Sequence, residues 1–168
     1  MKNYLVIGNP IEHSLSPKLH NYWLNKNKID GNYVKKLLTD DKVSEFLKSN
    51  QNISGINVTV PFKKNVINYC TELTELALSS QSVNTITLSN EKIIGDNTDI
   101  YGFEKSLKDL NFKGLNKTAF ILGAGGVVSS VVIALNNLGV KNIVISNRTK
   151  NKAEALAKEY NLVVSDWG

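Results

Sequence analysis

This chain of 168 residues has one cysteine, three prolines, two histidines and two tryptophans, and each scarcity removes a class of protein. Cys70 has no second thiol to pair with, so an intramolecular disulfide and a cysteine-based zinc site are both excluded. No metal centre is expected. No stretch approaches the roughly 18 consecutive apolar residues that a membrane span requires. The opening Met1–Ile7 segment is short and apolar, which reads as a buried strand and not as a cleavable signal. Long basic runs are missing too. The net charge is +5, but lysines such as Lys26, Lys35, Lys105, Lys108 and Lys150 are spread over helical faces. Nucleic-acid binding calls for a clustered stripe. The expectation is a cytoplasmic protein with no nucleic-acid or membrane partner, whose positive field helps gather small anions.

What is present is ordinary globular composition: 42% hydrophobic and 21% charged residues. The length suits one average domain or two small lobes. Strand-like and helix-like patterns alternate along it. Strands are expected at Tyr4–Ile7, Tyr33–Leu37 and Ile53–Val60, and helices at 17–27 and after Asp40 and Asp41. Ser16-Pro17 reads as a serine cap followed by proline in the first helical position. Pro61 ends the third strand, and helical spacing follows at 62–70 and 72–80. Val83–Leu88 and Lys92–Ile94 flank Ser89-Asn90-Glu91 as a hairpin, and Asp99 is placed to cap a helix over 100–111. Tyr22 and Trp23 read as core or lobe-packing aromatics, and Cys70 as a small buried hydrophobe. The sum is an α/β fold. Two domains are expected, residues 1–100 and 101–168.

The sharpest local pattern begins at Thr118. An apolar strand, 118–122, runs into Gly123-Ala124-Gly125-Gly126, then an apolar helix over 127–138, Gly139, and a strand over 142–146. This is the opening βαβ of a dinucleotide-binding fold, in which glycines let backbone N–H groups approach a pyrophosphate at a helix N-terminus. Val128 departs from the pattern, because glycine or alanine there would bring helix and strand closer. At the end of the second strand an NAD site places Asp or Glu for the ribose 2′-hydroxyl. Here stand Asn147, Arg148 and Thr149, with Lys152 close behind, and the arginine fork suits a 2′-phosphate. NADP is the expected cofactor.

A second constellation lies upstream. Gly55-Ile56-Asn57-Val58-Thr59-Val60-Pro61-Phe62-Lys63 is an apolar strand that ends in amide, hydroxyl and ammonium groups, and Gly95-Asp96-Asn97-Thr98-Asp99 is another polar strand end. If the two meet, a Lys63–Asp99 pair is ringed by hydrogen-bonding side chains and suits a hydroxylated small molecule. Asn84 and Asn97 also admit a plainer reading as turn residues that bond their own backbone. His13 beside Ser14 is no nucleophilic pair, since neighbours in sequence rarely face each other. His20 reads as structural.

In four places, and in the family's order, the chain resembles shikimate dehydrogenase. These are Ile7–Pro17 (Ile-Gly-Asn-Pro-Ile-Glu-His-Ser-Leu-Ser-Pro) extended by His20-Asn21, Gly55–Lys63, Val83-Asn84-Thr85 with Gly95–Asp99, and Gly123–Gly126 with Asn147–Thr149. The resemblance implies an N-terminal α/β substrate-binding lobe followed by the first part of a Rossmann-type NADP-binding domain. It implies reversible NADP-dependent reduction of 3-dehydroshikimate to shikimate, in aromatic amino-acid biosynthesis, by a monomer or homodimer. By the same resemblance Ser14 and Ser16 hold the substrate carboxylate, and Asn57, Thr59, Asn84 and Asp99 hold the ring hydroxyls. Lys63 and Asp99 form the catalytic pair. Gly123, Ala124, Gly125, Gly126 and Val127 face the pyrophosphate, and Asn147, Arg148, Thr149 and Lys152 the adenosine phosphate. Glu75 approaches the nicotinamide. Family members continue well past Gly168, so the resemblance also implies a C-terminally truncated chain of low activity. A quinate/shikimate dehydrogenase and a non-catalytic shikimate-binding module are the alternatives.

Overall fold

The computed structural model describes residues 1–49, 52–89 and 92–168. It divides into two compact units, Met1–Asn97 and Thr98–Gly168, each with its own sheet.

The first unit is built on β1 (Lys2–Gly8), α1 (Ser16–Lys26), β2 (Gly31–Leu37), α2 (Asp40–Ser49), β3 (Gly55–Val58), β4 (Glu72–Leu73), α3 (Glu75–Ser80), β5 (Thr85–Ser89) and β6 (Lys92–Asp96). The sheet order is β2-β1-β3-β5-β6-β4. β1 pairs in parallel with both β2 and β3, whereas β5 runs antiparallel to β3 and β6. Alternation along β1 supplies two cores. Leu5 and Ile7 join Val43, Leu47, Ile56, Val58, Phe62, Val66 and Ile86 on one side of the sheet. Val6 joins Ile11, Leu24 and Tyr33 on the other. Such period-two burial is what a pleated strand imposes.

Several expectations change here. The third strand stops at Val58, two residues short of the expected end, because beyond it the backbone turns to bond other segments. Residues 62–70 form only a 3-10 turn over Asn65–Tyr69. The segment 72–80 begins as a strand and turns helical only at Glu75. The open edge of β6 explains this: Thr71 N–H donates to the Ile93 carbonyl at 2.8 Å, and Glu72–Leu73 pairs with Ile94–Gly95. Edge pairing thus outcompetes local helical spacing. Ser16 is not a cap but the first helical residue, and its N–H donates to Ser14 Oγ at 3.3 Å. Thr74 does cap α3, its hydroxyl accepting the Ala77 N–H at 3.2 Å. β5 and β6 pair up to Ser89↔Lys92, while the expected turn residues Asn90 and Glu91 lie outside the described residues. Tyr22 and Trp23 are not core: both are exposed, edge-on to one another, with Lys26 over both rings.

The second unit contains α4 (Asp99–Asp109), β7 (Thr118–Leu122), α5 (Val128–Asn137), β8 (Asn142–Ser146), α6 (Lys150–Tyr160) and β9 (Val163–Val164). Its three strands are parallel in the order β7-β8-β9. Asp99 is the first residue of α4, following Thr98, instead of its cap. The core gathers Val128, Val132, Leu135, Val140, Ile143, Ile145, Ala153 and Leu156. Val128 therefore packs inside, and the buried small residues Ser129 and Ser130 follow it on the same helix. On the sheet, Phe120, Val144 and Val163 lie in register across β7, β8 and β9, and Phe120 and Val163 are exposed. Among the described residues no helix is long and apolar enough to cross a membrane.

Candidate functional site

In the first unit four segments are tied together at the strand ends by main-chain hydrogen bonds. Thr59 N–H donates to the Ile7 carbonyl at 3.0 Å, and Asn9 N–H donates to the Val60 carbonyl at 3.0 Å. Val58 N–H donates to the Asn84 carbonyl at 2.8 Å, Val83 N–H to that of Lys63 at 2.8 Å, and Asn84 N–H to that of Asp96 at 3.0 Å. The peptide bonds Asn9–Pro10 and Val60–Pro61 within this knot are both cis. The opening motif, the Asn57–Lys63 segment and the Asn84 strand are thereby held as neighbours, as backbone groups bond wherever they are buried.

Side chains add a second layer. Tyr33 donates its hydroxyl to Asn57 Oδ1 at 2.7 Å. Asn57 Nδ2 faces Thr85 Oγ1 at 3.4 Å and the Asn84 carbonyl at 3.5 Å, and Thr85 donates to Asn84 Oδ1 at 3.0 Å. Ser14, Ser16, Asn57, Thr59 and Lys63 are half-buried, and Asn84 is buried. Burial raises the pKa of the Tyr33 phenol, and a hydrogen bond with Ser16 opposes that rise. His20 stacks on the Tyr33 ring with centroids 4.2 Å apart. Behind Asn57 a cavity of about 380 Å³ opens between α1 and the sheet, walled by Tyr4, His20, Trp23, Tyr33 and Ile86.

Asn97 and Glu75 take other places in the first unit. Asn97 is fully buried, and its Nδ2 donates to Ser80 Oγ and to the Ser82 carbonyl, both at 2.9 Å. It braces the end of β6 and not its own turn. Glu75 is exposed at the start of α3. Asp99 belongs to the second unit, where it is half-buried at the start of α4.

In the second unit β7 runs into Gly123, whose φ of +107° is a conformation that favours glycine. The Gly123 N–H donates to the Ser146 carbonyl at 2.8 Å, which locks the turn to β8. The Ala124 N–H donates to Asn147 Oδ1 at 3.1 Å, and Asn147 Nδ2 donates to the Thr149 carbonyl at 2.7 Å. Asn147 therefore stitches the glycine turn to the Arg148–Thr149 loop. A Cβ built on Gly123, Gly125 or Gly126 would meet nothing within 4 Å, so open space fronts the turn. Nearby, a pocket of about 320 Å³ is lined by Asn147, Arg148, Lys150, Ser165, Asp166 and Trp167. Lys150 pairs with Asp166 at 2.8 Å, which lowers the carboxyl pKa and raises that of the ammonium. Thr149 and Lys152 are exposed at the head of α6. No site role is assigned to Tyr33, Lys150 or Asp166 from the sequence. Lys150 had a readable signal, as a second cation two residues after Arg148.

An open turn before a helix N-terminus, with cations at the end of the next strand, fits a nucleotide carrying a pyrophosphate and a further phosphate. Among the described residues no group of three or more His, Cys, Asp or Glu is gathered for a metal ion. The chain is thus an α/β protein pairing a polar-lined lobe with the start of a Rossmann-type sheet. Comparison with known proteins is specific. Residues 6–86 match the family described as shikimate dehydrogenase substrate binding domain, and residues 105–166 match shikimate / quinate 5-dehydrogenase. The chain is 51% identical, over 99% of its length, to the NADP(+) shikimate dehydrogenase of Pelagibacter ubique, and spans 64% of that relative. A crystal structure of shikimate dehydrogenase from Aquifex aeolicus superposes on 98% of the chain with a TM-score of 0.93 and 35% identity, the chain spanning 62% of it. That of Thermus thermophilus, in complex with NADP(H) and shikimate, gives a TM-score of 0.89 and 30% identity over 98% of the chain and 63% of its own. The chain belongs to the shikimate dehydrogenase family.

Proposed function

We propose that the protein takes part in the NADP-dependent, reversible reduction of 3-dehydroshikimate to shikimate, in the cytoplasm, as a monomer or homodimer. The observation that supports this reading is the main-chain knot that ties Ile7 and Asn9 of the opening motif to Thr59 and Val60, and Val58 and Lys63 to Asn84 and Val83, within the first unit. The first unit serves as the substrate lobe and the second as the cofactor domain. Ser14 and Ser16, at the N-terminus of α1, bind the substrate carboxylate where a helix end favours an anion. Asn57, Thr59, Asn84 and Asp99 bind the ring hydroxyls.

NADP(H), when bound, supplies or accepts the hydride. As the carbonyl carbon is reduced, negative charge grows on its oxygen, and the Lys63 ammonium neutralises it by donating a proton. Asp99 orients the ammonium and an adjacent hydroxyl. In the reverse direction Lys63 takes the hydroxyl proton back. For the cofactor, Gly123–Val127 line the pyrophosphate, and Asn147 sets the turn that presents them. Arg148, with Thr149 and Lys152, holds the adenosine phosphate, and Glu75 lies toward the nicotinamide. An arginine rather than an acid at the end of β8 supports NADP over NAD.

The test is a pair of measurements on wild type and Lys63→Ala: shikimate affinity by calorimetry, and NADPH oxidation driven by 3-dehydroshikimate. Lost turnover with retained affinity supports the reading. Intact turnover in Lys63→Ala removes the proton-donor role, and failure of the wild type to bind millimolar shikimate defeats the whole assignment. Binding with no turnover in the wild type removes the catalytic half of the reading and leaves a shikimate-binding chain.

A further inference from the structure

We infer that Tyr33 is a positioning residue of the substrate site, which fixes the direction in which the Asn57 amide presents its oxygen and nitrogen. The inference rests on the reading of Asn57 as a ring-hydroxyl ligand. A side-chain amide is nearly symmetric in shape but opposite in polarity at its two ends. An unanchored Asn57 would offer a ring hydroxyl an acceptor in one orientation and a donor in the other. Tyr33 settles the choice together with the Asn84 carbonyl: its hydroxyl donates to Oδ1 at 2.7 Å, while the carbonyl, which can only accept, faces Nδ2 at 3.5 Å, too far to hold the orientation alone.

The phenol is itself held from three sides. Asn21 clamps the Tyr33 backbone, accepting its N–H at 2.9 Å and donating to its carbonyl at 2.8 Å. His20 lies flat on the ring, the planes 4° apart. From the first turn of α1, Ser16 comes near enough to the same hydroxyl to oppose the rise that burial gives its pKa. The residue is only 4% exposed. Burial of the ring alone would be served equally by phenylalanine, so the hydroxyl is the added element, and it joins the proposed carboxylate end of the site to the ring end. Because burial raises its pKa, the phenol stays protonated and donating across the neutral range. His20-Asn21, which close the opening motif, gain a purpose here: they hold the tyrosine that holds the amide.

Shikimate affinity measured by calorimetry for wild type, Tyr33→Phe, Asn57→Ala and the double variant decides the matter, with side-chain amide resonances followed by NMR. Phenylalanine keeps the ring on His20. Loss of one neutral hydrogen bond predicts roughly tenfold weaker binding in Tyr33→Phe. The same change made in Asn57→Ala should have no further effect, and the Asn57 amide resonances should move in Tyr33→Phe without ligand. Unchanged affinity in Tyr33→Phe overturns the inference, as does an equal loss in both backgrounds, which a merely structural tyrosine would show. Wild-type binding that ignores Asn57→Ala overturns it while leaving the proposed function standing. A wild type that does not bind shikimate ends both.

Discussion

Asn97→Ala should be among the most damaging single substitutions in the first unit, although Asn97 reads in sequence as a residue of the polar strand end. Its side chain is fully buried and donates two hydrogen bonds at 2.9 Å, to Ser80 Oγ and to the Ser82 carbonyl. Each such bond contributes about 1 kcal/mol net. Removing the amide also leaves a small void, so a total near 3 kcal/mol is expected, at the upper end of common single-site effects. Ser80 Oγ already lies 3.2 Å from the Ser82 carbonyl and so limits the loss on that oxygen. For a unit of this size, ~3 kcal/mol lowers the melting midpoint by 12 °C or more. Trp23 lies in the first unit and Trp167 in the second, so Trp167→Phe makes tryptophan fluorescence report the first unit alone. Asn97→Asp is the control: it fills the same volume but sets oxygens against oxygens, and it should melt at least as low as Asn97→Ala at pH 7. A drop of less than about 3 °C in either variant would refute the reasoning, since two buried bonds worth the usual amount forbid it.

Two further outcomes are expected. Burial pushes the Cys70 thiol up to about 11, so at pH 8.5 its reaction with a disulfide reagent should run on the order of a hundredfold slower than that of an unfolded peptide thiol; reaction at the peptide's rate would show the thiol to be open. Gly123→Ala places a side chain at φ +107° and should cost about 1–2 kcal/mol of stability. It should also weaken NADPH binding at least several-fold, and fluorescence titration giving an unchanged affinity would mean that the turn does not face the cofactor.

How much of this was readable beforehand depended on the range of the interaction. The βαβ of the second unit was legible nearly to the residue, because apolar period, glycine punctuation and strand length all agree locally at 118–146. The polar strand end at 57–63 was legible as composition, but not the knot that gathers it, since Val83 and Lys63 are paired only through the folded backbone. Glu72–Leu73 was misread as helix because a two-residue strand has no pattern of its own and exists only by the partner it meets. Ser16 was misread as a cap because Ser14, two residues earlier, takes its N–H instead. Tyr33 was invisible for the same reason of range: 24 positions separate it from Asn57.

Asn57, the proposed ring-hydroxyl ligand, and Asn97 both end polar strand segments, yet the fold uses their amides differently. Asn97 is inaccessible, and its amide is spent at 2.9 Å on the protein itself. Nothing of it is left for a ligand, so its energy appears as stability. Asn57 is half-buried, with its oxygen fixed by a strong donor and its nitrogen at distances where hydrogen bonds are weak. A ligand hydroxyl can improve on those long contacts, and that improvement is the free energy available for binding. Because the backbone around Asn57 is already held by Val6, Ile7, Asn84 and Thr85, truncating its side chain should subtract from affinity far more than from folding, the reverse of what Asn97 shows. Polar strand ends are therefore sorted by which donors and acceptors the fold has left under-satisfied, a property of three-dimensional pairing that residue type alone does not carry.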